Sequence, residues 1–323
     1  MFCVGDQQNT ATTMRSLPLS SLTVLLLAVA CTSFSSIIPS SHSFRYYSFH
    51  RLDAESDRRE FLSRVGASAF LLATTTTTPS SSAAATSDTS GTVLVLGGTG
   101  LVGGEVVKKL KSLGLTVVAT SRDGRDGTVA MDFTTTNNVA TTIEQLSKGC
   151  QSVISCVGAI GTEQDDLINS ATGLAAAGAA AAGVDHFVYI SVAPEVRAFA
   201  KNIDFLNNYM TGKAFSEQSI QTYFGKTGKS YTIIEPTFIY GGDAFNINPP
   251  RVANAYGNIV ETILSSGPLR AAANIAPEGF IKIALEPPVS ATSVADACVA
   301  GALGKAPAIL DTYDKILAAS KLV

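Results

Sequence analysis

Histidine is nearly absent from this sequence. Three occur in 323 residues, and two of them, His42 and His50, fall in the first fifty. That leaves His186 for everything after residue 50, so a multi-histidine metal centre is excluded and no metal is expected. A Ser-His-Asp triad would have to use His186, which opens the predicted strand HFVYIS as an ordinary strand-edge residue. Cysteine is sparse too: five are scattered at positions 3, 31, 150, 156 and 298. No pair has zinc or redox spacing, and no disulfide framework is expected. An excess of basic charge is also missing, with 23 Lys and Arg against 26 Asp and Glu, so no nucleic-acid partner is expected. Long apolar runs are missing as well. The run LTVLLLAVAC, Leu22 to Cys31, is too short to span a membrane.

That run suits the core of a signal peptide instead, with Arg15 ahead of it and the small residues Cys31, Thr32 and Ser33 behind. Residues 1–33 therefore read as a signal peptide. Residues 34–56 begin at Phe34 and are Ser-rich. Their early part holds Arg45 and Arg51 and no acid up to Leu52, like a transit peptide. Residues 57–90 hold Arg58-Arg59-Glu60-Phe61-Leu62 before an apolar run, the pattern of a twin-arginine signal, with Ala83-Ala84-Ala85 as a cleavage site. The Thr and Ser tract from Thr74 to Ser82 reads as flexible spacer. Signal plus transit peptide resembles the bipartite presequence of algae with complex plastids. The expected address is the plastid, with the thylakoid lumen or membrane as the sharper form and the mitochondrion as the alternative. An uncleaved 65–73 run would give peripheral membrane attachment.

What the sequence does have is a glycine cluster. GTVLVLGGTGLVGGEVVKKL, Gly91 to Leu110, is a continuous apolar strand, then G-x-x-G-x-x-G, then a helix. Glycine there allows a tight turn, close backbone approach to a pyrophosphate, and close helix–strand packing. The helix N-terminus adds free N–H groups and a positive dipole end. Gly97, Thr99, Gly100, Leu101, Val102 and Gly103 are therefore expected to bind a dinucleotide. An NAD site places an acid at the end of the next strand, LTVVAT. Here Ser121 and Arg122 follow it, and an arginine can pair with a 2′-phosphate. NADP is the expected cofactor, and Asp123 keeps NAD open. A strand from Val129 to Phe133 brings Asp132 and Phe133 to the adenine edge. The buried strand QSVISCV leads into Cys156, Val157 and Gly158 along the cofactor. A helix from about Asp166 to Ala182 carries Asn169, and HFVYIS is the fifth strand. Strands alternating with helices predict an α/β fold with a doubly wound parallel sheet over residues 91–240.

Asn207 to Lys213 contains Y-x-x-x-K. On a helix, Tyr209 and Lys213 share a face, so the lysine charge is expected to lower the Tyr pKa and make Tyr209 a general acid/base. Lys213 would also hold the nicotinamide ribose.

Together, the glycine motif, the YIS strand end, YMTGK and IIEPTFIYGG resemble an atypical or extended short-chain dehydrogenase/reductase, from about Gly91 to Leu303. Softer patterning in Ala171–Ser191, Tyr209–Gly242 and EPPVSATSVADACVAGAL resembles relatives of a nucleotide-binding complex I accessory subunit and of proteins linked to quinone synthesis. The resemblance implies a Rossmann domain with a catalytic set of Tyr209, Lys213, Ser191 and Asn169. It also implies that Pro236 and Phe238 border the cofactor. Two positions depart from it: Val192 stands where a Ser or Thr is usual, with Ser191 one place early, and Glu235 stands where an arginine is usual.

Residues 241–323 complete the same domain as a small C-terminal lid. Val252 to Ser265 has a helical apolar pattern, and Phe245, Ile247, Val260, Ile263, Leu264, Leu269 and Ile275 make the lid apolar. Ser290 or Thr292 caps a helix through Leu303, and a last helix runs over Asp311–Leu322. The expected activity is NADP-dependent carbonyl–alcohol conversion on a small or lipophilic substrate. The competing expectation is a nucleotide-stabilised scaffold for a quinone pathway or membrane complex. A nucleotide-sugar epimerase ranks last because the lid is apolar.

Overall fold

The computed structural model describes residues 91–323 apart from 202, 226–227, 244–245, 248–249 and 278. The three leader segments and Phe245 lie outside the described residues. β1 (Thr92–Leu96) is apolar and buried from Val93 onward because both of its faces are covered. Val93 and Val95 point into one core, and Leu94 and Leu96 into the other. α1 (Leu101–Ser112) follows, then β2 (Thr116–Ser121), the short β3 (Val129–Ala130), α2 (Val139–Leu146) and β4 (Cys150–Ser155). α3 (Asp165–Ala181), β5 (His186–Ile190), α4 (Pro194–Ala200), α5 (Asn207–Ile220) and β6 (Ser230–Ile234) continue the alternation.

Beyond them lie β7 (Ile239–Tyr240), β8 (Asn246–Ile247), β9 (Pro250–Arg251), α6 (Asn254–Leu264), α7 (Gly267–Ile275) and α8 (Phe280–Leu285). β10 (Val289–Ser290), α9 (Ala291–Ala302), β11 (Ile309–Leu310) and α10 (Tyr313–Ser320) finish the chain.

Seven strands form one parallel sheet in the order β11-β6-β5-β4-β1-β2-β3. This is the doubly wound α/β arrangement. α1, α9 and α10 cover one face; α2, α3 and α5 cover the other. The strand order reverses between β1 and β4, and such a switch opens a crevice at the carboxyl ends of the strands.

Three local expectations differ from the structure. β3 stops at Ala130 because the Asp132 carboxylate accepts from the Thr134 amide at 2.9 Å and its hydroxyl at 2.7 Å, which turns the chain. The last helix begins at Tyr313, not Asp311, because Thr312 caps it by accepting from the Lys315 amide at 3.3 Å. The lid pattern closes at Leu264 in α6, and two further helices follow, α7 from Gly267 and the separate α8 after Gly279. Ser290 is the α9 cap, accepting from the Ser293 amide at 3.0 Å.

Candidate dinucleotide groove and the Tyr209–Lys213 end

The glycine loop is built by side chains that are not there. Gly97 has φ +76°, in the left-handed region, and a Cβ on Gly103 would stand 2.1 Å from the Gly97 carbonyl oxygen. Only glycine lets α1 start so close under the loop. The loop is pinned to β2, where the Gly98 amide donates to the Thr120 carbonyl at 2.8 Å and the Gly97 amide to the Thr120 hydroxyl at 3.4 Å. Gly100 caps α1 without a side-chain hydrogen bond, and the first turn carries no acid. The free N–H groups and dipole of α1 are therefore left for an external anion.

A groove of about 420 Å³ opens above this loop at the β1/β4 switch. Gly97, Thr99, Gly100, Ser121, Arg122, Asp132, Phe133, Cys156, Val157 and Gly158 line it. Leu101, Val102, Gly103, Pro236 and Phe238 do not line it. Leu101 and Val102 turn into the core beneath α9, and Gly103 is buried under the loop. The Pro236 carbonyl accepts from the Ala193 amide at 3.2 Å, prolonging the β5–β6 pairing. Phe238 is exposed away from the groove. The residues that do line the groove fit a dinucleotide: an uncapped helix start under a glycine floor, and an arginine-bearing wall.

Sequence reasoning passed over Thr120, Arg125, Met131, Thr134 and Ile168, which also line the groove. Arg125 matters most. Gly124 at φ +75° folds the β2–β3 loop back, and the Arg125 Nε then donates to the Thr99 hydroxyl at 3.3 Å. The glycine after Asp123 was the available signal. Ser121 serves the loop itself, since its hydroxyl pairs with that of Thr128 at 2.6 Å and accepts from the Gly124 amide at 3.0 Å. Asp132 is held below the usual carboxylate range by the Thr134 amide and then the Thr134 hydroxyl.

Tyr209 and Lys213 share one face of α5. The Lys213 Nζ lies 5.5 Å from the Tyr209 ring centre and 4.7 Å from that of Tyr189, and donates to the Ile190 carbonyl at 2.9 Å. It also comes within 3.4 Å of the place a Cβ on Gly158 would occupy, as does the Asn169 Oδ1. Lys213 and Asn169 thus converge on Gly158, which lines the groove, but neither they nor Tyr209 line it themselves, and that Asn169 oxygen is buried with no partner. The Asn169 amide nitrogen donates to the Ala159 and Asp165 carbonyls, each at 2.7 Å.

The expected electrostatics of this pair do not hold. Tyr209 is pushed up, first by burial and then by the Asp165 charge. Lys213 is pushed down to about 7 by burial, against the pull of Glu217. A lysine desolvated this far is only partly charged near neutral pH and does less to lower its neighbour.

Ser191 is placed differently from the other three. Its hydroxyl donates to Glu217. Glu217 in turn takes both Arg197 Nη atoms at 2.6 Å, and the same Arg197 reaches Glu235 at 3.3 Å and the Val192 carbonyl at 3.1 Å. Burial, then the Glu217 charge, pushes Glu235 up to about 7. Val192 is buried beside this cluster. Among the described residues no set of three His, Cys, Asp or Glu side chains gathers as metal ligands, and no helix is long and apolar enough to cross a membrane.

Residues 97–255 match the family model described as NAD(P)H-binding. The chain therefore carries an NAD(P)-binding domain of Rossmann type. It is similar to an uncharacterised chloroplastic protein of Arabidopsis thaliana, at 32% identity over 157 residues, covering 46% of this chain and 51% of that one. The match spans about half the length of that relative. Among solved structures, the Bordetella bronchiseptica enzyme WbmH in complex with NAD+ is 16% identical, with TM-score 0.45 and coverage of 68% of this chain and 74% of that one. Vestitone reductase from alfalfa (Medicago sativa L.) is 18% identical, with TM-score 0.42 and coverage of 68% and 75%.

Proposed function

We propose that this protein is an NADP(H)-dependent oxidoreductase of the plastid, working on the carbonyl–alcohol pair of a small or lipophilic substrate. The observation that carries the reading is the convergence of Lys213 and Asn169 on Gly158, with Tyr209 beside Lys213, where Gly158 lines the same groove as the α1 N-terminus. A bound dinucleotide would supply the hydride. Tyr209 would give its proton to the substrate oxygen; its raised pKa keeps the phenol protonated at neutral pH, which suits reduction more than oxidation. Lys213 would hold the nicotinamide ribose from the Gly158 side. Arg122 would take the 2′-phosphate, helped by Arg125 across the groove mouth. The chloroplastic relative supports the plastid address, as does the presequence pattern.

One observation favours a second reading, in which the dinucleotide is a structural part of a weakly catalytic scaffold for a quinone pathway or membrane complex. Ser191 donates its proton to Glu217 and so offers a substrate oxygen no donor. Loss of one oriented donor costs on the order of 10²–10³ in rate.

Titration of the full chain with NADPH and NADH, followed by nicotinamide fluorescence, tests the cofactor. NADPH is expected to bind the tighter. Arg122→Ala should weaken NADPH about tenfold or more, as expected for a lost charge-assisted contact, and leave NADH unchanged. Equal affinities would remove the NADP preference; no binding would remove both readings. Carbonyl reduction abolished by Tyr209→Phe would decide for the enzyme, and tight binding without turnover for the scaffold.

A further inference from the structure

Cys156 and Cys298 are 142 positions apart in the sequence and meet in the fold. Side chains of β4 and the residues after it alternate between the two layers. Ile154 and Cys156 face the α1/α9 layer, while Val153 and Val157 face the α3 layer. Cys298 stands on α9 in that first layer, fully buried, and Cys156 packs against its cluster. The Cys298 thiol is raised by burial first and by its hydrogen bond to Cys156 next. Cys156 is half-buried and lines the dinucleotide groove. Both thiols are free. The third described cysteine, Cys150, is buried at the opposite end of β4, facing the Leu146 carbonyl at 3.6 Å.

We propose that Cys156 and Cys298 form an oxidisable dithiol in the groove wall, entered by the oxidant through Cys156 and shielded by a bound dinucleotide. The shielding rests on the dinucleotide reading above; the dithiol does not. With hydrogen peroxide as oxidant, the Cys156 sulfur attacks a peroxide oxygen. An S–O bond forms, the O–O bond breaks, and the released hydroxide leaves as water with the thiol proton. The Cys298 sulfur then attacks the sulfenic Cys156 sulfur. An S–S bond forms, the S–O bond breaks, and a second water carries away the Cys298 proton. Two sulfurs give up two electrons, and one peroxide becomes two waters. Buried Cys298 cannot meet the oxidant first, which makes it the resolving partner.

The test treats the full chain, as the Cys150→Ser variant, with hydrogen peroxide and maps the peptides by mass spectrometry. A peptide pair joining Cys156 to Cys298, lighter by two hydrogens, is expected. In Cys298→Ala the Cys156 sulfenic acid should persist and be trapped by dimedone, a readout that survives any loss of stability at the buried site. Saturating NADPH should slow cross-linking about tenfold or more, because only the empty fraction reacts. Cys156 oxidised without any link to Cys298, or linked only to Cys3 or Cys31, overturns the dithiol. An unchanged rate with NADPH bound, as fluorescence would show, overturns entry through the groove. A link that forms in a protein that binds no NADPH upholds the dithiol and removes the dinucleotide reading instead.

Discussion

The glycine end of the groove and the β5–β6 end of the sheet beside it are built on opposite plans. At the β1–α1 end, side chains are absent and backbone donors are left unused: Gly97, Gly100 and Gly103 clear the space, and α1 starts without a cap. At the β5–β6 end, polar side chains are numerous and spend their hydrogen bonds on one another. Ser191, Glu217 and Glu235, all buried, close an ion cluster with the partly exposed Arg197 beside Tyr209 and Lys213. The first end can receive an anion without rearranging. The second must break an internal contact before Ser191 can serve a substrate. Dinucleotide binding and the proposed turnover should therefore be separable, and substitutions test this.

The largest effect is expected at the glycine end. Gly103→Val drives a branched side chain into the Gly97 carbonyl and should cost at least about 4 kcal/mol. Thermal melting should show a protein near the limit of folding, with no NADPH binding. Glu217→Gln is next. Halving the carboxylate that holds Arg197 should cost about 2–4 kcal/mol while leaving NADPH affinity within about threefold. If affinity falls as far as stability does, the two ends are coupled and the comparison breaks.

Smaller is the pH response of the cluster. Glu235 is held near 7, above its ordinary 4.5, so the folded state keeps a proton that the unfolded chain releases. Its contribution is complete below about pH 4.5 and lost as pH rises through 7. Lys213, held near 7 below its ordinary 10.5, works the other way: its contribution is complete above about 10.5 and lost as pH falls through 7. Denaturant melts of Glu235→Gln between pH 4.5 and 8 should lose a slope worth on the order of 1–3 kcal/mol. An unchanged slope would place that titration elsewhere. Smallest is Arg125→Ala, expected to weaken NADPH about fivefold, as for one partly exposed charged contact, with NADH unaffected.

The glycine end was legible because its signal is local. A strand, a turn and a helix follow within twenty residues, and the requirement for glycine is written at single positions. The sheet was legible for the same reason, each apolar strand standing between helical patterns. The Ser191–Glu217 and Arg197–Glu235 contacts were not. They join residues 26 and 38 positions apart, and nothing local distinguishes Glu217 from a solvated helix charge. The Tyr209–Lys213 spacing was readable but its electrostatics were not, because burial decides them and the sequence does not show how dry that helix face is. The spacing of the cysteines concealed Cys156–Cys298 in the same way; the alternation along β4 held half of the answer, and only α9 supplies the rest.

α9 and β11 also set a timetable. The apolar side of α1, made early, is covered by α9 at residues 291–302, and β6 gains its outer neighbour only when Ile309 and Leu310 arrive, with the Leu310 carbonyl accepting from the Glu235 amide at 2.9 Å. During vectorial synthesis, some two hundred residues of the sheet must wait with one face covered by α1 alone. That layer is completed only by about the last tenth of the chain, so a stop codon before residue 291 should leave apolar α1 and sheet surface exposed rather than a shorter stable protein.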